Sequence, residues 1–248
     1  MPVLSGAKET AKDLQCKSQL RQVSQVLIAF SASHQDQLPS NRIRVGENEH
    51  MTWRAWLVKQ DYLAGDIASG EQVVEGMDNA GGTASEGEVQ DGSVWVCPSC
   101  PDVPLREEVD GPSVCVGDVA SHYAYNGELA WQAYPLPEDK DASDFDLVQV
   151  RRPSQTIIVM ETRAYWPDLR IRSVLGRGRF PGAPDKGAGG GYFSFWHGDR
   201  QGNWAMYDGS VTNMHLLETL DPDCLWLAEP APLGTYADYK YLMAEEYR

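Results

Sequence analysis

The sequence opens with a stretch that predicts one long amphipathic helix. No glycine or proline occurs between Ala7 and Leu38. Within this stretch, apolar side chains recur at alternating steps of four and three, at Cys16, Leu20, Val23, Leu27 and Phe30. That spacing places them in a narrow stripe along one helix face. Pro39 ends the helix, because proline disfavours a helical residue before it. At about 1.5 Å per residue, the span from Ala7 to His34 is roughly 42 Å, longer than a small domain needs.

Length and charge limit the classes of protein to consider. A chain of 248 residues is long enough for one large domain or a domain with extended insertions. Acidic residues outnumber basic ones by 36 to 21, for a formal net charge of −15, and no sustained basic patch occurs. This balance disfavours nucleic-acid binding through phosphate contacts. No apolar run approaches the length of a membrane span.

The middle of the chain is irregular. Residues His50–Leu63 predict a short helix, and Val94–Val96 predict a short strand that leads into a cysteine pair. Between them, residues 64–93 contain seven acidic residues, no basic residue and many glycines. Such a segment buries little, so we expect an exposed acidic loop there. Ser121–Asn126 then predicts another extended segment.

The second half is rich in predicted strands. Gln155–Glu161 is a run of β-branched and apolar residues typical of a strand buried on both faces or nearly so. Tyr192–Trp196 and Asn203–Tyr207 predict the two strands of a hairpin. Asp208-Gly209 is a strong turn signal, and Ser210–Leu216 follows as the returning strand. The predicted class is therefore α+β, with a long helix followed by antiparallel hairpins.

Two further segments are predicted as surface features. A Gly/Pro/Arg-rich loop covers residues 175–191, and a short helix is expected near residues 236–247. The loop contains Arg177, Arg179 and Lys186 but lacks the Gly-Lys-Ser/Thr sequence that closes a phosphate-binding P-loop, so we interpret it as a surface loop.

Local motifs along almost the whole chain resemble one family. They are, in chain order, Leu4 to Phe30 with Cys16 and Leu20-Arg21-Gln22; Leu38-Pro39; Val96-Cys97-Pro98; Ser121-His122-Tyr123-Ala124-Tyr125-Asn126; and His197 with Asp208-Gly209-Ser210-Val211. The pattern resembles pilin-like proteins whose precursors carry a prepilin-type cleavage and methylation segment and a C-terminal His…Asp-Gly motif. Ten residues separate His197 from Asp208, where the family usually has nine, so the family's loop geometry does not transfer directly.

The resemblance implies a pilin-like fold, in which a long N-terminal helix packs on a small antiparallel sheet with long irregular insertions. Residues 1–38 would be the second half of a pilin helix, and residues 39–248 the globular head. The first half of that helix would be an apolar segment of about twenty residues that holds the subunit in the inner membrane. That segment is absent from this sequence, and we expect it upstream.

The function that the resemblance implies is that of a structural subunit. The chain would be a non-enzymatic, pseudopilin-like component of a type II secretion or type IV pilus-like assembly, with its head exported across the inner membrane. Its partners would be other pilin subunits or further copies of itself. The alternative is an exported binding module, which would hold carbohydrate or protein ligands through the acidic loop and an aromatic tail.

The five cysteines allow two kinds of chemistry. Cys97 and Cys100 form half of a zinc motif, but no second pair of suitable spacing follows, and His122 and Cys115 are the nearest candidates. Disulfides suit an exported protein better. A Cys16–Cys97 bridge would tie the helix to the head, and a Cys100–Cys115 bridge would close a local loop worth roughly 3 kcal/mol. The sequence leaves this connectivity open, with Cys224 as the expected odd thiol.

His197 and Asp208 have both a catalytic and a structural interpretation. They would suit a general base and its orienting carboxylate, but no nucleophile elbow accompanies them, and Ser194 lies on a predicted strand. We favour the structural interpretation, in which Asp208-Gly209 forms a turn and His197 caps or bridges the hairpin. No catalytic residue is therefore predicted.

Calcium is the remaining cofactor to consider. Oxygen-bearing side chains alternate at Asp199, Gln201 and Asn203, as in a calcium loop, but the glycine and glutamate of such a loop are missing. Because major pseudopilins bind calcium in a C-terminal loop, Asp199, Asn203 and Asp208 are kept as calcium candidates, and no other cofactor is predicted. Trp204 and Trp226 would suit a sugar-binding platform, although packing is the commoner role of tryptophan.

Overall fold

A computed structural model describes thirteen parts of the chain. They are residues 2–34, 38–39, 42–44, 49–64, 94–99, 114–117, 121–130, 150–162, 168–169, 171, 197, 201–230 and 232. Several predictions fall elsewhere and lie outside the described residues: the acidic loop from residue 65 onward, the strand at 192–196, the loop at 175–191 and the helix at 236–247.

The described elements are helices and short strands. In chain order they are α1 (Pro2–Ser33), β1 (Arg42–Arg44), β2 (Glu49–Thr52), α2 (Trp53–Lys59), β3 (Val114–Gly117), β4 (Tyr123–Asn126), α3 (Gly127–Ala130), β5 (Ile157–Glu161), β6 (Asp168–Leu169), β7 (Gln201–Met206) and β8 (Val211–His215). Short 3-10 helices cover Pro153–Gln155 and Leu216–Thr219. The α+β class is confirmed.

The main sheet has the strand order β6-β4-β5-β7-β8. Strands β4, β5, β7 and β8 are antiparallel neighbours, and β6 adds to β4 in parallel. All five residues of β5 are buried, as its run of apolar residues predicts. A smaller sheet joins β1 to β2 in antiparallel pairing and β2 to β3 in parallel pairing.

The core consists of two apolar clusters that meet at the main sheet. Strand β7 contributes Trp204 and Met206 to one cluster and Ala205 to the other, as the alternation of side chains along a strand requires. The first cluster also contains Trp226, whose ring makes an edge contact with that of Trp204. Both tryptophans are almost completely buried, which supports the packing role over an exposed sugar platform.

Helix α1 packs against β5, β7 and β8. It has 32 residues and is therefore about 48 Å long. The five residues of the predicted stripe are all buried, at Cys16, Leu20, Val23, Leu27 and Phe30. Among the described residues, no helix combines the length and the apolar composition that crossing a membrane requires.

Two local predictions were wrong. The helix expected from His50 begins only at Trp53, because residues Glu49–Thr52 pair with β1 and β3 as strand β2. Thr52 then caps α2, since its hydroxyl oxygen accepts a hydrogen bond from the amide of Ala55 at 3.3 Å. Residues 94–96 form a turn and a bend instead of a strand.

Candidate functional site

The best-defined site is the junction between α1 and the head. The two halves of α1 differ in exposure: side chains from residue 6 to 15 are exposed or only partly buried, whereas the stripe that starts at Cys16 is buried. Leu14 is 62% exposed and is one of two large apolar side chains that are exposed among the described residues. The helix therefore docks through its second half, and its first half continues beyond the docked region.

A disulfide joins α1 to the head at the start of the buried stripe. Cys16 and Cys97 are bonded, with a sequence separation of 81. Both residues are fully buried. This is one of the pairings that the sequence left open, and it ties the helix to the head. Cys224 is a buried free cysteine, as expected for the odd thiol.

His197 lies beside this disulfide and bridges α1 to strand β5. Its Nδ1 is 3.0 Å from Oδ1 of Asp13 on the helix, and its Nε2 is 3.0 Å from Oε1 of Glu161 on the strand. A carboxylate oxygen can only accept a hydrogen bond, so this geometry calls for a proton on each ring nitrogen, which is the imidazolium form. Only 4% of the His197 side chain is exposed. We call Asp13, Cys16, Cys97, Glu161, His197 and Asn203 the anchor cluster.

Glu161 is the most deeply buried charge of the anchor cluster, with 1% of its side chain exposed. Besides its contact with His197, it accepts two hydrogen bonds from Asn203. One comes from the backbone N–H at 3.0 Å and the other from Nδ2 at 3.2 Å. The same Nδ2 donates to Oδ1 of Asp13 at 3.1 Å. Burying a carboxylate is costly unless it is paired and hydrogen-bonded, and here both conditions are met.

Charges within the junction are balanced. Two carboxylates, on Asp13 and Glu161, face the His197 imidazolium and the Lys17 ammonium, whose Nζ is 2.7 Å from Oδ2 of Asp13. Burial alone would lower the pKa of His197, but the hydrogen bond to Glu161 and the charges of Glu161 and Asp13 raise it above its ordinary 6.5. Burial alone would raise the pKa of Asp13, but hydrogen bonds from Lys17 and Asn203 and the charge of His197 lower it below 3.8.

The Asp208-Gly209 turn meets α1 further along the helix. Oδ1 of Asp208 accepts hydrogen bonds from the backbone N–H and the hydroxyl of Ser210, at 2.9 and 2.6 Å, which fixes the turn between β7 and β8. Gly209 has a φ of 83° and lies close to the helix: a Cβ at this position would be 3.8 Å from Cγ of Gln25 and 3.9 Å from Cδ1 of Ile28. The predicted turn is confirmed, and it lies against the helix.

Two polar side-chain contacts complete the docking. The hydroxyl of Tyr123 on β4 donates to Oε1 of Gln19 at 2.8 Å, and the hydroxyl of Tyr207 lies 2.9 Å from Oγ of Ser31. Together with the anchor cluster and the Gly209 turn, they contact α1 from residue 13 to residue 31. The junction is therefore held by polar contacts at both ends and by apolar packing between them.

The structure does not pair His197 with Asp208. His197 is engaged by Asp13 and Glu161, whereas Asp208 accepts its hydrogen bonds from Ser210 within its own turn. Both ring nitrogens of His197 face carboxylates in a nearly closed site, so neither is presented to a substrate as a base. His197 thus bridges the helix and β5.

The calcium candidates are also placed separately. Asn203 is buried on β7, where its Oδ1 accepts from Nδ2 of Asn213, and Asp208 lies in the turn beyond the strand. The three residues from Asn203 to Met206 alone span about 10 Å of extended strand, so these two side chains do not share one coordination sphere. Asp199 lies outside the described residues.

The zinc candidates divide in a similar way. Cys97 is bonded to Cys16 in the disulfide, so its sulfur is not a free thiolate. Its backbone N–H donates to Nδ1 of His122 at 3.2 Å. Cys100 lies outside the described residues, and Cys115 lies on β3, opposite His50 of β2. A different set comes together instead: one ligand atom each from Cys16, Cys97, Glu161 and His197 lies within 4.8 Å of the others.

Asp13 and Glu161 are the site residues that sequence reasoning missed. Glu161 offers a signal in retrospect, because it is an acidic residue at the end of a run of buried apolar residues, and a buried charge needs a partner. Asp13 offers none, since it is one of several charged residues on the polar face of a helix.

No family model, curated protein or solved structure matches this chain.

Proposed function

We propose that the chain is a pseudopilin-like structural subunit of a type II secretion or type IV pilus-like envelope assembly, with a pilin-like fold, and that it assembles through α1. The observation that carries the proposal is the division of α1 into a docked half and an exposed half that reaches beyond the head. A helix that only completed a domain core would be expected to end near the core it covers.

The composition of the exposed half supports a role in subunit contacts. Leu14 is 62% exposed and is the one large apolar side chain that is exposed among residues 6–33 of α1. Charges of both signs flank it, with Glu9 paired to Lys12 and Asp13 paired to Lys17. A neighbouring pilin helix would cover Leu14 and leave these ion pairs at the rim of the contact.

The anchor cluster supports the same role. A subunit that is held by its helix needs a helix that stays attached to its head, and the Cys16–Cys97 bridge provides a covalent attachment. Disulfides persist in oxidising compartments, so the bridge suits an exported head in the cell envelope. In this role His197 is structural, not catalytic, because carboxylates engage both of its ring nitrogens.

By resemblance to the family, the helix of the full precursor would continue upstream into an apolar membrane segment. The gene supplies a first test. An upstream prepilin-type cleavage site followed by an apolar run of about twenty residues agrees with the proposal. A conventional cleaved signal peptide joined directly to this chain contradicts it.

Assembly is tested by site-specific cross-linking in the cells that make the protein. A photo-reactive amino acid replaces Leu14 in the full-length precursor, and an identical replacement at the exposed Lys59 on α2 serves as the control. We expect irradiation to produce a ladder of cross-linked subunits, or adducts with sister pilins, from position 14 only. Equal adducts from both positions, or monomer only from both, would refute assembly through α1.

A substitution provides the complementary test. Leu14→Asp places a charge in the proposed helix contact while leaving the docked half of α1 unchanged. With a photo-reactive group at a neighbouring helix position, we expect this variant to lose the ladder of cross-linked subunits. The thermal unfolding midpoint of the isolated chain should stay unchanged within about 2 °C. Normal assembly of this variant counts against the proposal.

A further inference from the structure

The anchor cluster contains the donor set of a metal site, closed by a disulfide. Cys16, Cys97, His197 and Glu161 bring two sulfurs, a ring nitrogen and a carboxylate oxygen within 4.8 Å of one another. We propose that reduction of the Cys16–Cys97 disulfide turns this cluster into a four-coordinate site for a thiophilic divalent cation such as Zn²⁺. The inference goes beyond the assembly role and does not depend on it.

The chemistry needs one named co-reactant. A phosphine reductant transfers two electrons to the S–S bond, which breaks, and water supplies the oxygen of the phosphine oxide and the two protons of the new thiols. Binding of the cation then releases both thiol protons, because thiolates are the ligands. The proton on Nε2 of His197 is lost at the same time, since a ring nitrogen binds a metal only in its neutral form.

Two interligand distances in the cluster lie within about 0.4 Å of those of a tetrahedral zinc site. Standard Zn–S, Zn–N and Zn–O bond lengths place the ligand atoms of such a site about 3.8 Å apart for two sulfurs, about 3.6 Å for sulfur and nitrogen, and about 3.4 Å for nitrogen and oxygen. Sγ of Cys97 is 3.8 Å from Nε2 of His197, and this nitrogen is 3.0 Å from Oε1 of Glu161. The two sulfurs must separate, as they do when the bond between them breaks.

Groups that orient the ligands are already in place. Metal-bound histidines usually donate their second ring N–H to a carboxylate, which fixes the tautomer. Here Nδ1 of His197 is 3.0 Å from Oδ1 of Asp13, so Nε2 is left to face the cation. The backbone N–H of Asn203 donates to Oε2 of Glu161, so Oε1 remains on the side of His197.

The ligand chemistry selects the class of cation. Two thiolates with an imidazole suit zinc and related thiophilic ions, and disfavour Mg²⁺ and Ca²⁺, which prefer all-oxygen sites. Two thiolates and one carboxylate exceed the charge of the cation by one, and in the adjoining shell the Lys17 ammonium offsets the charge of Asp13. The other buried thiol is no competitor, because burial raises the pKa of Cys224 to about 12.

The test compares the oxidised and reduced forms of the full chain under anaerobic conditions. Zn²⁺ is titrated calorimetrically, and Co²⁺ serves as a spectroscopic probe because thiolate coordination produces intense charge-transfer absorption. We expect one equivalent bound to the reduced chain, with tetrahedral cobalt bands, and none bound to the oxidised chain. Absence of binding by the reduced chain, or equal binding by both forms, would overturn the proposal.

Variants separate this site from the Cys97–Cys100 motif of the sequence. Cys16→Ser removes a ligand of the proposed site only, whereas Cys100→Ser removes a ligand of the alternative site only. We expect Cys16→Ser to abolish the thiolate-to-cobalt signal of a two-sulfur site and Cys100→Ser to leave it unchanged. The reverse result assigns the metal to the Cys97–Cys100 pair and refutes the proposal.

A positioning variant covers the case in which a ligand variant fails to fold. Asp13→Asn keeps the shape of the side chain but removes the carboxylate that holds Nδ1 of His197, and such partners typically contribute 10-fold to 100-fold to affinity. We expect at least a tenfold weaker Zn²⁺ affinity, and no change for the matched control Glu9→Gln, which lies one turn earlier on an exposed position. Circular dichroism verifies that both variants are folded. Unchanged affinity in Asp13→Asn contradicts the proposed geometry.

Discussion

The hydroxyl of Tyr207 lies 2.9 Å from Oγ of Ser31, so the residue before the Asp208-Gly209 turn contacts the last turn of α1. This contact is at the opposite end of the docked helix from Asp13 and His197. The two elements of the His…Asp-Gly motif therefore act on the same helix at two points, His197 near its middle and the turn near its C-terminal end. His197 and the turn therefore both contact α1.

A double-mutant cycle measures the contact between Ser31 and Tyr207. Ser31→Ala and Tyr207→Phe each remove one hydroxyl, and the coupling energy between them is expected to be about 0.5–1.5 kcal/mol, the net value of a typical hydrogen bond. Urea denaturation of the four proteins gives this energy. Ser33→Ala in place of Ser31→Ala is the control, since Ser33 bonds only within its own helix turn and to His34. A coupling energy of zero for Ser31 and Tyr207 would contradict the contact.

The bridge formed by His197 makes stability depend on pH in a defined direction. The pKa of His197 is raised in the folded protein, so its contribution to the free energy of unfolding is fully present below pH 6.5 and is lost as the pH rises through the folded-state pKa. The pKa of Asp13 is lowered, so its contribution is present above pH 3.8 and is lost as the pH falls through the folded-state pKa. Both contributions are complete between these two values.

Denaturation of the oxidised protein, in the presence of a chelator, tests this dependence across a pH series. We expect the stability advantage over His197→Gln to be largest between pH 3.8 and pH 6.5 and to shrink at alkaline pH. In an Asp13→Asn background the same comparison should vary less with pH, because one of the two carboxylates is gone. An advantage that grows with rising pH would contradict the imidazolium bridge.

Gly209 is required for its backbone conformation. Its φ of 83° lies in the left-handed region, which costs a residue with a side chain about 1–2 kcal/mol. An added Cβ would be no closer than 3.8 Å to its neighbours, so the cost comes from the backbone and not from a clash. We expect Gly209→Ala to lower the free energy of unfolding by about 1–2 kcal/mol.

Gly6 supplies the matched control for this substitution. It lies in the exposed half of α1, and a Cβ there would have no neighbour within 4 Å. Because alanine favours helix more than glycine does, Gly6→Ala should raise helix stability by up to about 1 kcal/mol. Circular dichroism and denaturation of both variants check the opposite signs, and destabilisation of both would count against the argument.

The disulfide is expected to be the largest single contribution to stability at the junction. For a sequence separation of 81, chain entropy predicts roughly 4–5 kcal/mol, and measured bridges usually contribute about 2–4 kcal/mol. We expect the Cys16→Ser/Cys97→Ser double variant to be less stable by about 2–4 kcal/mol in denaturant. Wild-type protein treated with reductant should approach the same midpoint, and a reductant effect of equal size on the double variant would assign the stabilisation to another bridge.

The parts of the fold that follow local patterns were predictable. The stripe from Cys16 to Phe30, the buried run of β5, and the Asp-Gly turn between β7 and β8 each have a periodicity or a turn signal within a few residues. The helix predicted from His50 begins only at Trp53, because pairing with β1 and β3 overrode the local pattern at Glu49–Thr52. Strand pairing between distant segments is invisible to a local pattern.

The anchor cluster illustrates the same limit. His197 was identified from a motif and interpreted as a residue that caps or bridges the hairpin, but its partners Asp13 and Glu161 come from distant segments of the chain. The Cys16–Cys97 bridge was one of several pairings that the sequence allowed, because connectivity depends on which segments the fold brings together. A titratable or reactive residue can be recognised in a sequence, whereas the fold determines which partner it contacts.

The covalent link at Cys16 determines how the molecule carries mechanical load. A pull on the N-terminal end of α1 reaches the S–S bond at the first buried residue of the stripe, and from there it passes to Cys97 in the head. Residues 17–33 lie beyond that link, so their apolar packing and hydrogen bonds are not loaded in a peeling direction. Without this bond, the noncovalent contacts of the docked helix would break one after another under load. The disulfide bears the load first, and it has to be cleaved chemically before those contacts are pulled apart.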